Sequence, residues 1–404
     1  MKAKLGYLSK EEQKKIHQLS CLFLAETGIV ISSQSLIQEL TRLGAEMKEN
    51  RLCFSNELIE KLFAFTAKPS TKEAAFHIAN RGFTSLIVDE NTKVYRKVRE
   101  KDISNLCSVV NTLQNVDFIA LPYTDDEVLS LGIAVKETKK MIITPCSSQK
   151  SLKMMNRLPC NFSPLFQMES SNFIFSDEIC SLLQLAIKKK NPFGIFLTEI
   201  NWKNYSSSEL ILFFNIHNLA ILLIAKMLQQ KESVYYCGAT FSNLSPKQWL
   251  ILNTAFSEMA SFYGIIPILF NDFGENREFY YHSAFERNLY VQSLENAVSN
   301  GILLSMGTAF HGNAYSLTNI LLDQEILNMS KGFGRTFSVD AEHLGTDAIN
   351  DVGPGGHFLF HPHTLKHFSH EIWRKKIEDS FIYQKDQSFQ EEVEKRIRAI
   401  IGTV

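Results

Sequence analysis

Apolar side chains recur every three or four positions over much of the first hundred residues, which is the period of helices with one buried face. Ser9 and Glu12 have the spacing of a capping box at the start of the first helix. A polar, strand-like patch follows near residues 85–95. The predicted helices lie at about 9–28, 35–43 and 58–65. We therefore predict a helical N-terminal extension over residues 1–100.

From about residue 118 the pattern changes to short apolar runs, separated by segments that are mostly long enough for a helix. The runs lie at 118–121, 141–144, 194–198, 234–237, 265–270 and 302–306. Ser245 and Pro246 form a good N-cap and first position for one intervening helix. Buried strands that alternate with helices predict a parallel sheet, and this many units favour a closed barrel over an open sheet. The predicted class is α/β, with a (β/α)8 TIM-type barrel and a C-terminal helix over residues 101–404.

The composition fits a large globular fold, since 45% of the residues are hydrophobic and 21% are charged. The formal net charge of −1 offers no basic surface, so neither nucleic acid nor a membrane is predicted as a partner. Seven cysteines without a Cys-x-x-Cys pair favour reduced thiols. Neither a signal peptide nor a long uncharged apolar segment is recognised, and we predict a cytoplasmic protein.

The segment 353–368 contains three glycines, two prolines and four histidines, a composition that suits neither a helix nor a strand. Its glycines predict a sharply turning loop, because glycine accepts backbone conformations that other residues avoid. The candidate residues of this loop are Gly353, Gly355, Gly356, His357, His361 and His363. A structural turn before a helix that starts near Thr364 is the alternative to a functional site.

The same segment carries a likeness to a known family. Gly353-Pro354-Gly355-Gly356-His357-Phe358, preceded by the acidic segment 316–326 with Asp323 and Glu325, resembles the trimethylamine methyltransferase family. Weaker likeness extends to 22–28, 43–45, 67–69 and 115–119. The resemblance implies the same barrel, and an enzyme that moves a methyl group from a methylated amine to the cobalt of a partner corrinoid protein. The chain contains no pyrrolysine, so it is similar to the pyrrolysine-lacking branch, which is associated with quaternary amines such as glycine betaine.

The implied substrate defines the expected site. A quaternary ammonium is recognised by aromatic faces, and the carboxylate of a betaine is held by cationic or hydrogen-bonding side chains. At the ends of the predicted strands, the candidate rings are Trp202, Phe270, Phe273 and Phe310. The candidate carboxylate-binding residues are Arg277, His311 and His357. No catalytic acid is assigned, because a quaternary amine departs as a neutral tertiary amine and needs no proton.

Two segments depart from the family pattern. Residues 199–206 are bulky and charged where the family has a glycine-rich loop, and 270–277 keep only part of another family motif. A barrel without catalytic activity that binds a methylated amine or a corrinoid protein is therefore the alternative function.

Metal and acid–base chemistry are less favoured. His363 and His367 have the i, i+4 spacing of two ligands on a helix, yet no Glu completes a His-Glu-x-x-His motif, so no metal bound directly by the chain is predicted. His367 is expected on the outer surface. Asp323 and Glu325 point to different helix faces, so one is expected to hold a buried partner and the other to be solvated.

The C-terminal segment 371–398 has helical spacing with an apolar stripe at Trp373, Ile377 and Phe381. This stripe suits packing against the barrel or against another chain, so a homo-oligomer is compatible with the sequence.

Overall fold

The computed structural model describes residues 6–63, 76–89, 92, 94–114, 116–159, 161–169, 173–198, 205–228, 234–238, 246–271, 281–298, 300–330, 340–367 and 389–402. Its α-helices are α1 Lys10–Glu26, α2 Gln34–Arg42, α3 Asn56–Phe63, α4 Glu100–Asn111, α5 Glu127–Glu137, α6 Gln149–Met155, α7 Asp177–Lys189, α8 Ser207–Met227, α9 Pro246–Phe262, α10 Tyr281–Ala297, α11 Leu317–Ser330, α12 Ala341–Leu344, α13 Thr346–Val352, α14 Pro362–His367 and α15 Phe389–Ile401. The strands are β1 Val30–Ile31, β2 Glu46–Lys48, β3 Arg51–Cys53, β4 Phe76–Asn80, β5 Leu86–Val88, β6 Tyr95–Lys97, β7 Phe118–Ala120, β8 Met141–Pro145, β9 Phe162–Glu169, β10 Ile174–Phe175, β11 Gly194–Thr198, β12 Tyr236–Cys237, β13 Pro267–Phe270, β14 Gly301–Met306, β15 Thr308–Ala309 and β16 Ala314–Tyr315.

Two parallel four-stranded sheets form the centre of the molecule. The first has the strand order β11-β9-β8-β7 and the second has the order β12-β13-β14-β4. The strands β11, β13 and β14 are buried at every position. Strands covered on both faces are typical of parallel sheets that are flanked by helices. The predicted α/β class is confirmed.

The edges of the two sheets meet at β4 and β7. The Asn80 side-chain amide donates from Nδ2 to Ala120 O at 2.6 Å and accepts at Oδ1 from Ala120 N at 2.9 Å. Just beyond, Phe83 N donates to Leu121 O and Tyr123 N donates to Thr84 O. Asn80 therefore makes with its side chain the paired bonds that a neighbouring strand would make with its backbone.

The opposite edges meet at β11 and β12. Phe193, immediately before β11, forms a parallel bridge with Val234. Tyr235 N donates to Phe193 O at 2.8 Å. Hydrogen bonds thus connect the two sheets at both pairs of edges.

A third, smaller sheet has the strand order β15-β16-β5-β6. The hairpin of β5 and β6 in this sheet is connected to α4 by Arg96. The Arg96 guanidinium donates to both carboxylate oxygens of the buried Asp102, at 2.6 and 2.8 Å. A bidentate pair of this kind is geometrically demanding, so it fixes where the hairpin lies.

The N-terminal helices follow the sequence prediction. The capping box of α1 is present, with Glu12 N donating to Ser9 Oγ and Ser9 N donating to Glu12 Oε2. The helix docks on α8 through Asn215, whose Nδ2 donates to Ser20 Oγ at 2.8 Å and to Tyr263 Oη at 3.0 Å.

Helix α8 corrects one expectation. It is long and apolar enough to cross a membrane by length and composition, and this segment was not recognised in the sequence. In the structure 83% of its most apolar window is buried, in a layer between α1, α3 and α9. It packs as a core helix of the fold.

Six apolar runs were predicted as strands, and each overlaps one of the central strands β7, β8, β11, β12, β13 or β14. Two central strands, β4 and β9, were not predicted. Strand β4 lies in the first hundred residues and pairs with β14, so a boundary at residue 100 passes between two strands of one sheet. The division of the chain into two domains remains a prediction.

His217 of α8 is completely buried in an aromatic environment. Its ring stacks on Phe173 with centroids 4.5 Å apart and lies 4.9 Å from the ring of Phe213. Neither ring nitrogen has a hydrogen-bond partner among the described residues. Burial lowers the pKa of His217 to about 3. The native state therefore holds this ring in its neutral form.

We predict that His217 makes the fold sensitive to acid. The unfolded chain binds a proton at this residue below its ordinary pKa of about 6.5, while the folded chain does not. Stability should therefore fall as the pH decreases, by about 2 kcal/mol from this group between pH 7 and pH 5. His217→Phe should remove that part of the slope in urea unfolding measured at several pH values. His357→Phe, at an exposed position, is the control, and identical slopes for His217→Phe and the wild type would contradict the prediction.

Candidate functional site

Three buried aromatic rings meet toward the carboxyl ends of the central strands. Phe270 is the last residue of β13, Phe83 follows β4, and Phe196 lies in β11. The ring centroids are 5.4 Å apart for Phe83 and Phe196, 5.2 Å for Phe196 and Phe270, and 6.2 Å for Phe83 and Phe270. We call Phe83, Phe196 and Phe270 the ring cluster. Carboxyl ends of parallel strands are where α/β proteins commonly bind ligands.

A guanidinium lies against this cluster. Arg81 directly follows β4, is only 1% exposed, and places its guanidinium carbon 5.2 Å from the centroid of the Phe270 ring. Its Nη1 donates to Gly82 O at 3.0 Å. A cation at this distance over a ring face is held by the ring quadrupole. One face of Phe270 is therefore already in contact with a positive charge supplied by the chain.

A chain of polar side chains leads from the cluster toward solvent. Tyr123 packs against Phe83 with centroids 6.0 Å apart, and its hydroxyl donates to Gln167 Oε1 at 2.7 Å. Gln167 Nε2 donates to the hydroxyl of the buried Thr198 at 3.1 Å. Gln167 is exposed, so this chain reaches the surface. Burial raises the pKa of Tyr123 above its ordinary value, so its phenol is a hydrogen-bond donor at neutral pH.

The backbone enters the left-handed region in the turns after β4 and β15. Gly82 and Phe83 have φ values of 50° and 51°, and Phe310 and His311 have φ values of 46° and 51°. A side chain larger than hydrogen raises the energy of this conformation by about 1–2 kcal/mol per residue. Such strain persists where the surrounding structure imposes it, often at functional sites. The chain thus enters the left-handed region both after β4 of a central sheet and after β15 of the small sheet.

Gly82 is required by a close approach as well as by its φ. A Cβ atom at this position would lie 2.5 Å from Ala120 Cβ and 2.8 Å from Ala120 C. The contact brings the turn after β4 directly onto β7. Arg81 and Phe83, on either side of Gly82, are positioned by this approach.

Of the two predicted rings that the structure describes, Phe270 lies in the cluster and Phe310 does not. Phe310 lies in the turn between β15 and β16 of the small sheet, where its ring stacks on Tyr95 at 4.8 Å and remains 41% exposed. His311 follows it and is half-buried. Trp202, Phe273 and Arg277 lie outside the described residues. The roles assigned to these side chains remain predictions.

Asp323 holds a buried partner, as expected of one of the two carboxylates. Arg287 Nη1 donates to its two oxygens at 2.9 and 2.7 Å, and Gly307 N donates to Oδ2 at 2.7 Å. Arg287 Nη2 donates to Thr308 O. The pair joins α10 and α11 to the turn after β14. Its geometry gives it a positioning role for that turn.

Glu325 corrects an expectation, because it is not solvated. Its side chain is 12% exposed and Oε1 lies 3.5 Å from Arg396 Nη1 of α15. The C-terminal helix therefore packs against α11. The stripe residues Trp373, Ile377 and Phe381 lie outside the described residues.

The glycine-rich segment forms a surface loop between α13 and α14. Gly353 and Gly355 have φ values of 62° and 79°, and Gly356 touches the backbone of Val352 too closely for a Cβ atom. His357 is exposed, and its Nδ1 accepts a hydrogen bond from Leu359 N. The structure gives His357 no described contact with the ring cluster.

The later histidines of this segment pack on α12 or lie near α13. His363 Nε2 contacts Glu342 O at 2.8 Å, and His361 Nε2 lies 3.7 Å from Asp351 Oδ2. His367, expected on the outer surface, is half-buried, with ring centroids 4.5 Å from His363 and 5.3 Å from His343. Within the described ranges, no group of three or more His, Cys, Asp or Glu side chains is arranged to hold a metal ion.

The thiols of the described cysteines are buried and unoxidised. Burial raises the pKa of Cys107 and Cys146 to about 12. A thiol that stays protonated at neutral pH is a poor nucleophile. These cysteines are packing residues.

Arg81, Phe83, Tyr123 and Gln167 were missed in the sequence. They lie on or directly after β4, β7 and β9, and two of these strands were not recognised. The one signal was local, since Asn80-Arg81-Gly82 places a charge and a glycine directly after an apolar pair. That signal is readable only when 76–80 is known to be a buried strand.

Comparison with known proteins identifies relatives of this chain. The family model described as Trimethylamine methyltransferase (MTTB) matches residues 245–399. This region contains both segments on which the resemblance was based, 316–326 and 353–368, and the resemblance is confirmed.

Two curated proteins are similar in sequence. A trimethylamine methyltransferase MttB of Desulfitobacterium hafniense (strain DSM 10664 / DCB-2) is 21% identical over 93% of this chain and 84% of that protein. A glycine betaine methyltransferase of Desulfitobacterium hafniense (strain Y51) is 26% identical over 155 residues, which are 38% of this chain. The match spans about a third (32%) of the glycine betaine methyltransferase.

Two aldolases are among the solved structures with a distant likeness. An archaeal fructose 1,6-bisphosphate aldolase has a TM-score of 0.39 and 12% identity, covering 68% of this chain and 99% of the other. The phospho-2-dehydro-3-deoxyheptonate aldolase of Thermotoga maritima has a TM-score of 0.36 and 11% identity, covering 76% and 96%.

The buried pair of Arg287 and Asp323 gives a stability prediction. Asp323→Asn leaves a buried guanidinium without its counter-charge, and removing one partner of such a pair destabilises by about 3–5 kcal/mol. Urea unfolding should show this loss. Glu325→Gln is the matched control on the same helix and should lose less than about 1 kcal/mol, because its partner Arg396 is partly solvated. Equal losses in the two variants would contradict the assignment.

Proposed function

Residues 245–399 match the trimethylamine methyltransferase family, and because the chain is a divergent relative of it, we propose that this protein transfers a methyl group from a methylated amine to a corrinoid protein. The match to the family model carries this proposal. The relatives are named as methyltransferases of trimethylamine and of glycine betaine, which favours a methylated amine as the methyl donor. The corrinoid acceptor is taken from the family resemblance.

The donor we propose is a quaternary amine of the glycine betaine type. The chain has no pyrrolysine, and the resemblance associates the pyrrolysine-lacking branch of the family with quaternary amines. Aromatic faces suit a quaternary ammonium, and the ring cluster supplies three buried rings toward the carboxyl ends of the strands. Trp202, Phe273 and Phe310 are proposed as further rings, with Arg277, His311 and His357 as further polar contacts.

The chain's own work in this reaction is binding and orientation. The reduced corrinoid of the partner supplies the nucleophilic cobalt. A quaternary amine leaves as a neutral tertiary amine, so the protein has no proton to deliver. The groups around the ring cluster agree with this, since the raised pKa of Tyr123 makes its phenol a fixed donor. Holding the amine in a dry, aromatic environment with its methyl group toward the acceptor is then the main requirement.

We infer that the two central sheets form one closed (β/α)8 barrel. Hydrogen bonds connect β4 with β7 through Asn80 and Ala120, and connect β11 with β12 through Phe193 and Tyr235. The ring order would be β4, β7, β8, β9, β11, β12, β13 and β14. Each of these strands is followed by an α-helix before the next strand of the ring. In such a barrel the ring cluster lies at the carboxyl-terminal mouth, which is the face we assign to the corrinoid protein.

The direct test measures methyl transfer. The purified protein would be mixed with reduced cobalamin and, separately, with glycine betaine, carnitine, choline and trimethylamine, and methylcobalamin would be followed by absorbance. We expect conversion with at least one quaternary amine. With that donor the rate should not require an acidic group, so it should stay within about twofold between pH 6.5 and 8.5.

The alternative is a barrel that binds a methylated amine or a corrinoid protein without catalysis. The Arg81 guanidinium against Phe270 is the observation that favours it, because a resident cation occupies a ring face that a substrate could use. Binding of an amine by calorimetry without any methyl transfer would establish this alternative and contradict the proposed activity.

A further inference from the structure

We propose that two copies of this chain associate through the exposed apolar surface of residues 340–367 and form a dimer with twofold symmetry. This inference goes beyond the proposed function and does not depend on it. We call the large apolar side chains of this surface the apolar patch. Its members are Leu344, Ile349, Phe358, Leu359, Phe360 and Leu365.

The apolar patch is unusually exposed. Phe360 is 81% exposed, Leu365 61% and Ile349 56%, and the other three side chains are 42–52% exposed. Six large hydrophobic residues thus lie open within 22 residues, whereas no other stretch of this length among the described residues has more than three. Single exposed apolar residues are common on soluble proteins, but a group of them marks an interaction surface.

The polar side chains of the same segment hold its helices to one another. His363 Nε2 contacts Glu342 O at 2.8 Å, and Lys366 forms an ion pair with Glu342, so α14 is held against α12. His361 Nε2 lies 3.7 Å from Asp351 Oδ2 of α13. The apolar side chains are left facing solvent. A surface helix of a monomer normally directs its apolar side chains toward the core, so this arrangement is the one expected of a surface that a partner covers.

The most exposed side chain lies in a tight turn. His361 N donates to Phe358 O at 3.0 Å, so Leu359 and Phe360 occupy the two central positions of the turn. Those positions are usually taken by Gly, Pro, Asn, Asp or Ser. Large apolar residues gain nothing there in an isolated chain, since both side chains are left in water. Burial against a second protein surface removes that unfavourable exposure.

The area of the patch fits a dimer of ordinary size. The patch exposes on the order of 600 Å², if a large apolar side chain is taken as about 200 Å². A standard protein–protein interface covers about 800 Å² on each partner and is about 60% nonpolar, so it needs about 500 Å² of apolar surface from each side. The apolar patch of one copy therefore supplies the nonpolar part of such an interface when it meets the same patch of a second copy.

The charges around the patch favour a second copy over a partner of one sign. Asp347 and Asp351 are exposed on α13, and Lys366 is exposed on α14. In a twofold interface each surface meets itself, so the acidic side of one copy can face the basic side of the other. The whole chain has a formal net charge of −1, so two copies repel each other only weakly.

The experiment measures the mass of the full chain by sedimentation velocity over a range of protein concentrations. We expect a species of twice the chain mass of 46.1 kDa, whose fraction rises with concentration. This dimer should persist in about 1 M sodium chloride, where charge attraction extends only about 3 Å, because apolar contacts are not screened by salt. Dissociation into monomers at that salt concentration would contradict an apolar interface.

Two substitutions assign the contact to the patch. Phe360→Glu should weaken the dimer at least about thirtyfold, since it removes an aromatic anchor and would bury an unpaired charge. Leu365→Glu should weaken it in the same direction. Leu289→Glu is the matched control, because Leu289 is 50% exposed on α10 and gains the same charge, and it should dimerise as the wild type does. Circular dichroism would establish that each variant is folded.

Hydrogen exchange at low and high protein concentration locates the contact independently of any variant. We expect the amides of 358–367 to exchange more slowly in the dimer than in the monomer. A wild type that stays monomeric at every soluble concentration would overturn the proposed dimer, whether slow exchange shows that the patch is covered by the chain's own residues or fast exchange leaves it open to a different protein. A dimer that both patch variants leave intact, or that Leu289→Glu weakens equally, would overturn it as well.

Discussion

The contact between Gly82 and Ala120 is the constraint on which the arrangement of the central sheets and the ring cluster depends. It brings the turn after β4 onto β7 at a distance that leaves no room for a side chain at position 82. Asn80, two residues earlier, satisfies both the N–H and the carbonyl of Ala120 with one side-chain amide. Close packing and the hydrogen bonding of backbone groups therefore occur at the same contact between β4 and β7. Arg81 and Phe83 alternate along the chain with Asn80 and Gly82. The interaction that joins the sheets therefore also orients the charged and aromatic groups of the candidate site.

Much of the fold could be predicted from the sequence because its strongest signals are local. The capping box at Ser9 and Glu12, and the apolar runs of β7, β8, β11, β13 and β14, each report a single element with a regular pattern. Strand β9 was not predicted because Ser163, Pro164 and Gln167 interrupt the apolar pattern of a central strand. A proline is rarely found between two paired strands, so the pattern argued against the assignment that the structure makes. Strand β4 lies within residues 1–100, which were predicted to be a helical extension.

The candidate site was harder to predict than the fold because it is assembled from distant parts of the chain. Phe270 was found, since it ends a recognisable strand. Arg81 and Tyr123 are meaningful only when β4 and β7 are known to be neighbours, and no local pattern states this. The conspicuous glycine and histidine segment identified the family, yet it forms a surface loop beside α12 and α14. A sequence signature can therefore identify a family without stating where its residues lie in the fold.

The pairing of β4 with β14 has a consequence for how the chain reaches its native state. Phe76 of β4 pairs with Gly301 of β14, so β4 is synthesised long before the strand with which it pairs. Contacts so remote along the chain slow folding, since a long loop must close before they form. During that interval the β7-β8-β9-β11 sheet can assemble from consecutive segments, whereas the exposed edge of β4 is open to pairing with other chains. The need for chaperones and the yield of soluble protein should therefore depend on how soon β14 is synthesised and pairs with β4.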